Sequence, residues 1–248
     1  MEKYKILKSQ LIQLGLKNMA DNFYKEAERS RKAGLDYLDY LSELISREIH
    51  DKLEKSINYR IRNARFPMFK TIEQFDFSFQ TTLNQKEILE LMELEFVNQK
   101  ENIIFIGPPG VGKTHLSIAI GVEACKKRVR NIFYSANELI NQLRIAKVSN
   151  KLPDFLERLT RYSIVIVDEL GYMPLTSEDA NLFFQFVNQK YEKSSVILST
   201  NSNFGDWGKI FKDDVVAAAI IDRLVHHSHI IRITGDSYRI KDKKIDNA

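Results

Sequence analysis

A chain of 248 residues, 44% hydrophobic and 28% charged, has ordinary globular composition, with room for one large domain or for a medium domain and a small attachment. No apolar run approaches the ~20 residues that span a bilayer, and Met1-Glu2-Lys3-Tyr4 leads into no signal-peptide core, so no membrane partner is expected and the expected address is the cytoplasm. The net charge of +4 belongs to the head: residues 1–70 hold 15 Lys and Arg against 10 Asp and Glu, the rest 22 against 23. A basic head on a near-neutral body fits a polyanion partner, or simply a solvated helix face.

The head reads as helices and nothing else. Leu7, Leu11 and Leu14 repeat at helical spacing until Gly15 breaks the run. Met19, Phe23 and Ala27 start a second stripe, which Gly34 ends. Leu38, Leu41, Leu44, Ile45 and Ile49 make a third, continued by Leu53, Ile57, Ile61 and Ala64, with Lys52, Lys55 and Arg62 opposite. Phe66-Pro67 stops that helix, because proline disfavours a helical residue before it. This sets a helical N-terminal domain over 1–68 and a second domain over 69–248.

Beyond it strands and helices alternate, which predicts an α/β fold on a parallel sheet. Ile103 to Ile106 reads as a short buried strand, and Ile132 to Tyr134, Ile164 to Val167, Val196 to Leu198 and Ile230 to Ile233 read as four more strands. Helices are expected from Thr114 to about Lys127, around Leu139 to Leu143, from Pro153, after the capping box Thr176-Ser177-Glu178-Asp179, and from about Asp213 to His226. The lone cysteine, Cys125, excludes an intrachain disulfide and a thiolate metal site and reads as a core thiol.

Gly107-Pro108-Pro109-Gly110-Val111-Gly112-Lys113-Thr114 matches the phosphate-binding pattern G-x-x-x-x-G-K-[ST], between a strand and a helix. Its glycines let backbone N–H groups turn toward phosphate oxygens, and the helix N-terminus adds its dipole. Lys113 is expected on the β- and γ-phosphates of ATP and Thr114 on Mg²⁺. Asp168-Glu169 ends the third strand, where open α/β sheets bind ligands. Asp168 is expected in the Mg²⁺ shell, and Glu169 to polarise the attacking water. An amide at Asn201 can orient the same water, or Ser199-Thr200-Asn201 can simply start a turn.

Arg223 lies on an apolar helix with no carboxylate three or four positions away, so it needs a partner from elsewhere. A neighbouring subunit's γ-phosphate would serve, as would an ordinary salt bridge. Lys55, Arg60, Arg62, Arg65, Arg144, Lys147 and Lys151 are candidate DNA phosphate contacts or solvated surface. His226-His227-Ser228-His229 has no cysteine and no carboxylate in ligand register, and is read as no metal site.

The P-loop, Asp168-Glu169, Ser199-Thr200-Asn201 and Arg223 together resemble an AAA+ ATPase. More narrowly, five stretches are similar to the IstB group, ATP-dependent helper proteins of insertion-sequence transposons. They are Gly107 to His115, Asp168-Glu169-Leu170-Gly171-Tyr172-Met173-Pro174-Leu175, Asp222-Arg223-Leu224-Val225-His226-His227, Gly235-Asp236-Ser237-Tyr238-Arg239 and the head's Arg62-Asn63-Ala64-Arg65-Phe66-Pro67.

The resemblance implies three layers around a parallel five-stranded sheet, without a C-terminal lid, behind a small all-helical domain. It implies nucleotide contacts from Gly107 to His115 and at Asp168. It further implies a homo-oligomer with ATP at subunit interfaces on double-stranded DNA, presenting a target to a cognate transposase. Fifteen residues follow Ile233, too few for the lid that carries a phosphate-sensing arginine in common AAA+ proteins, and the role of Arg239 stays open. Helicase loaders of the DnaC type share the ATPase domain and are the alternative, as is a pure ATP switch. Glu169 favours hydrolysis over a switch.

Overall fold

The computed structural model describes residues 2–172 and 175–241. Met173 and Pro174, within one of the stretches that carry the resemblance, lie outside the described residues. The chain divides into two compact units, Met1–Tyr59 and Arg60–Ala248.

The first unit is built from α1 (Glu2–Gln13), α2 (Lys17–Ala33) and the start of α3 (Tyr37–Asn63). Gly34 closes α2 in the left-handed region at φ 69°, and its N–H reaches the carbonyl of Arg31, which satisfies the helix end as the sequence breaks predict. The core is small: Leu11, Met19, Ala20, Phe23 and Leu44, with Leu16 and Tyr40 packed against it. Two buried carboxylates find partners. Glu48 accepts from the Met19 N–H at 2.8 Å, and Glu26 takes Arg47 at 2.7 Å. The third stripe is helical as expected, but it is not a core face. Leu44 is buried, whereas Leu38, Leu41, Ile45, Ile49 and Leu53 are exposed.

The second unit opens with a 3₁₀ turn at Ile72–Gln74, then α4 (Gln85–Leu91) and α5 (Glu95–Gln99). The alternating part follows as β1 (Asn102–Ile106), α6 (Lys113–Lys126), β2 (Asn131–Ser135), α7 (Ala136–Val148), α8 (Leu152–Thr160), β3 (Ile164–Leu170), α9 (Ser177–Lys190), β4 (Ser195–Thr200), α10 (Trp207–Phe211), α11 (Asp214–Val225) and β5 (Ser228–Arg232). All five strands are parallel, in the order β2-β3-β4-β1-β5.

Alternation along β1 supplies both faces. Ile104 and Ile106 join the cluster of α7, α8, α9, α10 and α11, while Ile103 and Phe105 join that of α4, α5 and α6. The result is the expected three layers. Side chains such as Phe105, Phe183 and Phe186 are fully buried, each contributing ~1.5–3 kcal/mol relative to exposure. Capping boxes at Ser135/Glu138 and Thr176/Asp179 start α7 and α9. Cys125 is buried, accepts from Asn131 at 3.3 Å, and burial pushes its thiol pKa up, so it is the core thiol expected. Among the described residues no helix is long and apolar enough to cross a membrane.

Candidate nucleotide-binding site

β1 ends at Ile106 and α6 begins at Lys113, so the strand delivers the loop 107–112 to the carboxyl edge of the sheet. Gly112 enters the helix at φ 104°, where a Cβ would be strained and would meet the Phe75 ring at 2.5 Å. Lys113 is buried, and its Nζ donates to the carbonyls of Gly107 (2.7 Å) and Pro108 (2.8 Å). Burial lowers its pKa and Arg239 adds to the lowering, while Asp168 and Glu169 oppose it. Phosphate oxygens would give this ammonium a stronger, charge-assisted partner than loop carbonyls.

Asp168 and Glu169 are separated by a backbone irregularity. β3 and β4 slip register between Val167 and Leu170, and Glu169 has φ 62°. The bulge buries Asp168 and leaves Glu169 exposed at the cavity. A non-glycine residue in the left-handed region is strain held by its surroundings, a feature concentrated at functional sites. Here the Glu169 N–H is tied to Ser199 Oγ at 2.9 Å, and the same hydroxyl donates a short hydrogen bond to Asp168. Thr114 Oγ1 reaches the other side of that carboxylate, 2.9 Å from Oδ2.

Gly110 to His115, Glu169 and Asn201 line one cavity of about 680 Å³, within the range of small-molecule sites. These residues fit ATP with Mg²⁺: a buried ammonium and a helix N-terminus for phosphates, and a hydroxyl–carboxylate pair of hard oxygens for the metal. Gly107 and Pro108 contribute carbonyls to Lys113 rather than cavity wall, and Asp168 sits behind Thr114. His115 is half-buried; its Nε2 lies 2.8 Å from the Thr71 carbonyl, Phe75 packs edge-on against it, and burial lowers its pKa.

Part of the cavity's lining was not read from the sequence: Met68, Lys70, Gln74, Phe75, Asp76 and Gln80 join Tyr172, Tyr238 and Arg239, which stand in two of the stretches that carry the resemblance. The signal available was the capping pair Thr71/Gln74 followed by the alternating run Phe75-Asp76-Phe77-Ser78-Phe79, whose period of two suits a strand although the structure makes it irregular backbone.

Arg223 does not line the cavity. The partner that the sequence argument required comes from α9 of the same chain and is uncharged: Nε donates to Asn188 at 3.0 Å, and the guanidinium lies 4.8 Å from the Phe184 ring centre. Of the candidate DNA contacts, Arg144 grips the buried Asp179 with both arms of its fork at 2.5 Å, holding that carboxyl down at about 2. Lys147 pairs with Glu178 at 2.7 Å and Lys55 with Asp51 at 2.6 Å, so these three charges are already matched within the chain. Arg60 is half-buried, with one guanidinium nitrogen buried and without a hydrogen-bond partner. Among the described residues Arg62, Arg65 and Lys151 have no carboxylate partner, and Arg65 lies over the Tyr134 ring.

The histidine run does gain a carboxylate that sequence register hid: Glu192 stands beside exposed His226 and His227, whereas His229 pairs with Glu101. His227 Nε2 and Glu192 Oε1 are 4.0 Å apart, wider than the ~3.4 Å between tetrahedral zinc ligands.

A parallel sheet of this order, with a P-loop after β1, an acidic pair ending β3 and a polar end to β4, is the nucleotide-binding fold of AAA+ proteins. Solved structures agree on that fold: AMPPCP-bound DnaA from Aquifex aeolicus (TM-score 0.58, 21% identity, 71% of this chain and 54% of that one) and the DnaC helicase loader (TM-score 0.50, 22% identity, 70% and 98%). The chain belongs to the IstB-like ATP binding protein family, which matches residues 9–246. It is 41% identical over 239 residues to the insertion sequence IS232 ATP-binding protein of Bacillus thuringiensis subsp. berliner, covering 96% of each chain. It is 42% identical over 234 residues to the IS21 counterpart of Pseudomonas aeruginosa, covering 94% of this chain and 88% of that one.

Proposed function

We propose that this protein is a Mg²⁺-dependent ATPase that assembles as a homo-oligomer on double-stranded DNA and helps a transposase select its target. The observation that carries the ATPase reading is the convergence of Lys113, Thr114 with Asp168, Glu169 and Asn201 on one cavity. Lys113 leaves the carbonyls of Gly107 and Pro108 to take phosphate oxygens. Thr114 and Asp168 would hold Mg²⁺, which would supply charge neutralisation at the phosphates. Glu169 accepts a proton from a water that Asn201 helps orient. The water oxygen bonds to the γ-phosphorus as the bond to the β–γ bridging oxygen breaks, releasing ADP and inorganic phosphate. Arg223 of a neighbouring subunit steadies the charge that develops.

The DNA and transposase parts rest on the insertion-sequence relatives and on the unmatched cations Arg62, Arg65 and Lys151. The likeness to a helicase loader is one of fold and favours no second reading.

Glu169→Gln tests the chemistry. It should bind ATP, hydrolyse it ~10²–10⁴-fold more slowly, and leave DNA complexes that persist. Turnover near wild type would remove Glu169 from its role. Failure of the ATP-loaded protein to bind duplex DNA would remove the DNA part of the reading.

A further inference from the structure

β2 is an edge strand of the sheet, and residues 64–66 lie along it. The Phe133 N–H donates to the Ala64 carbonyl at 2.8 Å, and the Phe66 ring packs edge-on against Phe133. Arg65 stands between these two anchored neighbours with φ 62°, a left-handed backbone that a non-glycine residue keeps only where its surroundings hold it. Its side chain is exposed, with the guanidinium 5.9 Å from the Tyr134 ring centre.

Two more exposed arginines share this edge. Arg130, which leads into β2, lies 5.6 Å from the Tyr162 ring centre, and Arg158, in the last turn of α8, lies 5.1 Å from that of Phe155. Tyr134 links the group, because the charges of Arg65 and Arg158 both act on its hydroxyl. The nearby carboxylates are committed: Glu138 closes the capping box of α7, and Glu157 pairs with Arg161 at 3.5 Å. Among the described residues none of the three guanidiniums has a carboxylate partner or donates a hydrogen bond. The C-terminal dipole of α8 accounts for a cation at 158 but not for the other two. A guanidinium resting on a ring keeps its five N–H donors for an outside acceptor, and cations gathered on one edge are matched by a polyanion.

We propose that Arg65, Arg130 and Arg158 form a contact surface for the phosphate backbone of duplex DNA along the β2 edge. This rests on the DNA part of the proposed function and gives it a surface, which the matched cations Lys55, Arg144 and Lys147 do not. Duplex DNA offers rows of phosphates, which guanidiniums hold through pairs of parallel N–H···O bonds. Such contacts set the protein's position on the duplex and carry no sequence information. None of the three arginines lines the nucleotide cavity, so DNA contact here is separable from ATP binding.

Binding of the ATP-loaded full chain to a mixed-sequence duplex, measured across a range of salt, tests this. Changing all three arginines to alanine should flatten the slope of log affinity against log salt by ~2.7 and weaken binding ~100-fold at about 0.15 M salt, since each phosphate contact contributes ~0.9 to the slope. Arg65→Ala and Arg158→Ala singly should each remove ~0.9, which keeps the test decisive if the triple variant folds poorly. Lysine at all three positions keeps the charge without the planar fork, so it should keep the slope and lose affinity. Affinity for Mg-ATP should match wild type throughout. Lys86→Ala and Lys209→Ala are the control for lost net charge, since those exposed cations are already paired with Glu90 and Asp206, and they should leave the slope unchanged. An unchanged slope in the arginine variants, or an equal fall in the lysine controls, would overturn the inference while wild-type DNA binding stood. ATP-loaded wild type that does not bind duplex DNA would overturn the parent reading, and this one with it.

Discussion

Helical periodicity means different things in the two units. In residues 60–248 the apolar stripes of α6, α7 and α9, such as Leu139, Ile140 and Leu143 of α7, end in burial on one or other face of the sheet. In residues 1–59 the stripe of α3 ends in solvent, with Leu38 at 76% exposure and Leu44 at 2%. The same spacing thus marks a core face where a second layer covers it, as with Met19 and Phe23 of α2, and only an amphipathic helix where none does. The difference has a functional counterpart. Every side chain placed in the nucleotide cavity comes from the second unit, and a buried strand end or a helix start fixes the central ones.

The sharpest test of that self-sufficiency is Arg223, the one proposed catalytic group outside the cavity. If it acts on a neighbour's nucleotide, Arg223→Ala should keep ATP binding and lose ~10³–10⁵ in hydrolysis. Mixing it with Lys113→Ala subunits, which supply a finger but no working site, should restore activity that neither has alone. No recovery in demonstrably mixed assemblies would make Arg223 a structural residue held by Asn188 and Phe184.

The packing contrast is open to a paired substitution. Phe186→Ala, fully buried in the larger cluster, should destabilise by ~3–5 kcal/mol in chemical denaturation. Leu38→Ala should stay within ~0.5 kcal/mol. A loss at Leu38 approaching that at Phe186 would show the exposed stripe to be covered in solution and would break the comparison.

Legibility followed the length and regularity of each element rather than the divide between the units. All five strands, and the placing of Lys113, Asp168 and Glu169 at strand and helix ends, were readable, because a parallel strand is a short apolar run and its end is where polar residues must stand. The helices α4, α5 and α10 were not, being one to two turns long with too few residues to establish a period. The wall from Met68 to Gln80 escaped because it is irregular backbone folded onto the P-loop. Pairings such as Arg144 with Asp179 or His227 beside Glu192 join residues that only the fold brings together.

A smaller effect probes how dry the second unit is. Lys190 is buried at the end of α9, donating to the carbonyls of Leu159 (3.3 Å) and Tyr162 (2.8 Å). Burial pushes its pKa down to about 7 from 10.5. The unfolded chain therefore binds this proton more tightly, and the stability of the folded state rises with pH between about 7 and 10.5, by at most ~1.4 kcal/mol per pH unit. Below about pH 7 the penalty is full and level. Wild type should gain on Lys190→Met between pH 7 and pH 9 in urea denaturation. A constant difference across that range would show that the amine is not desolvated as described.

The central claim is that the cavity above β1 is a triphosphate site organised around Lys113. Titration of Mg-ATP into wild type and Lys113→Ala by calorimetry addresses it without any partner. Wild type should bind, and Lys113→Ala should bind at least ~100-fold more weakly, since it loses a charge-assisted contact in a buried site. Equal affinity of the two proteins for Mg-ATP would contradict the account.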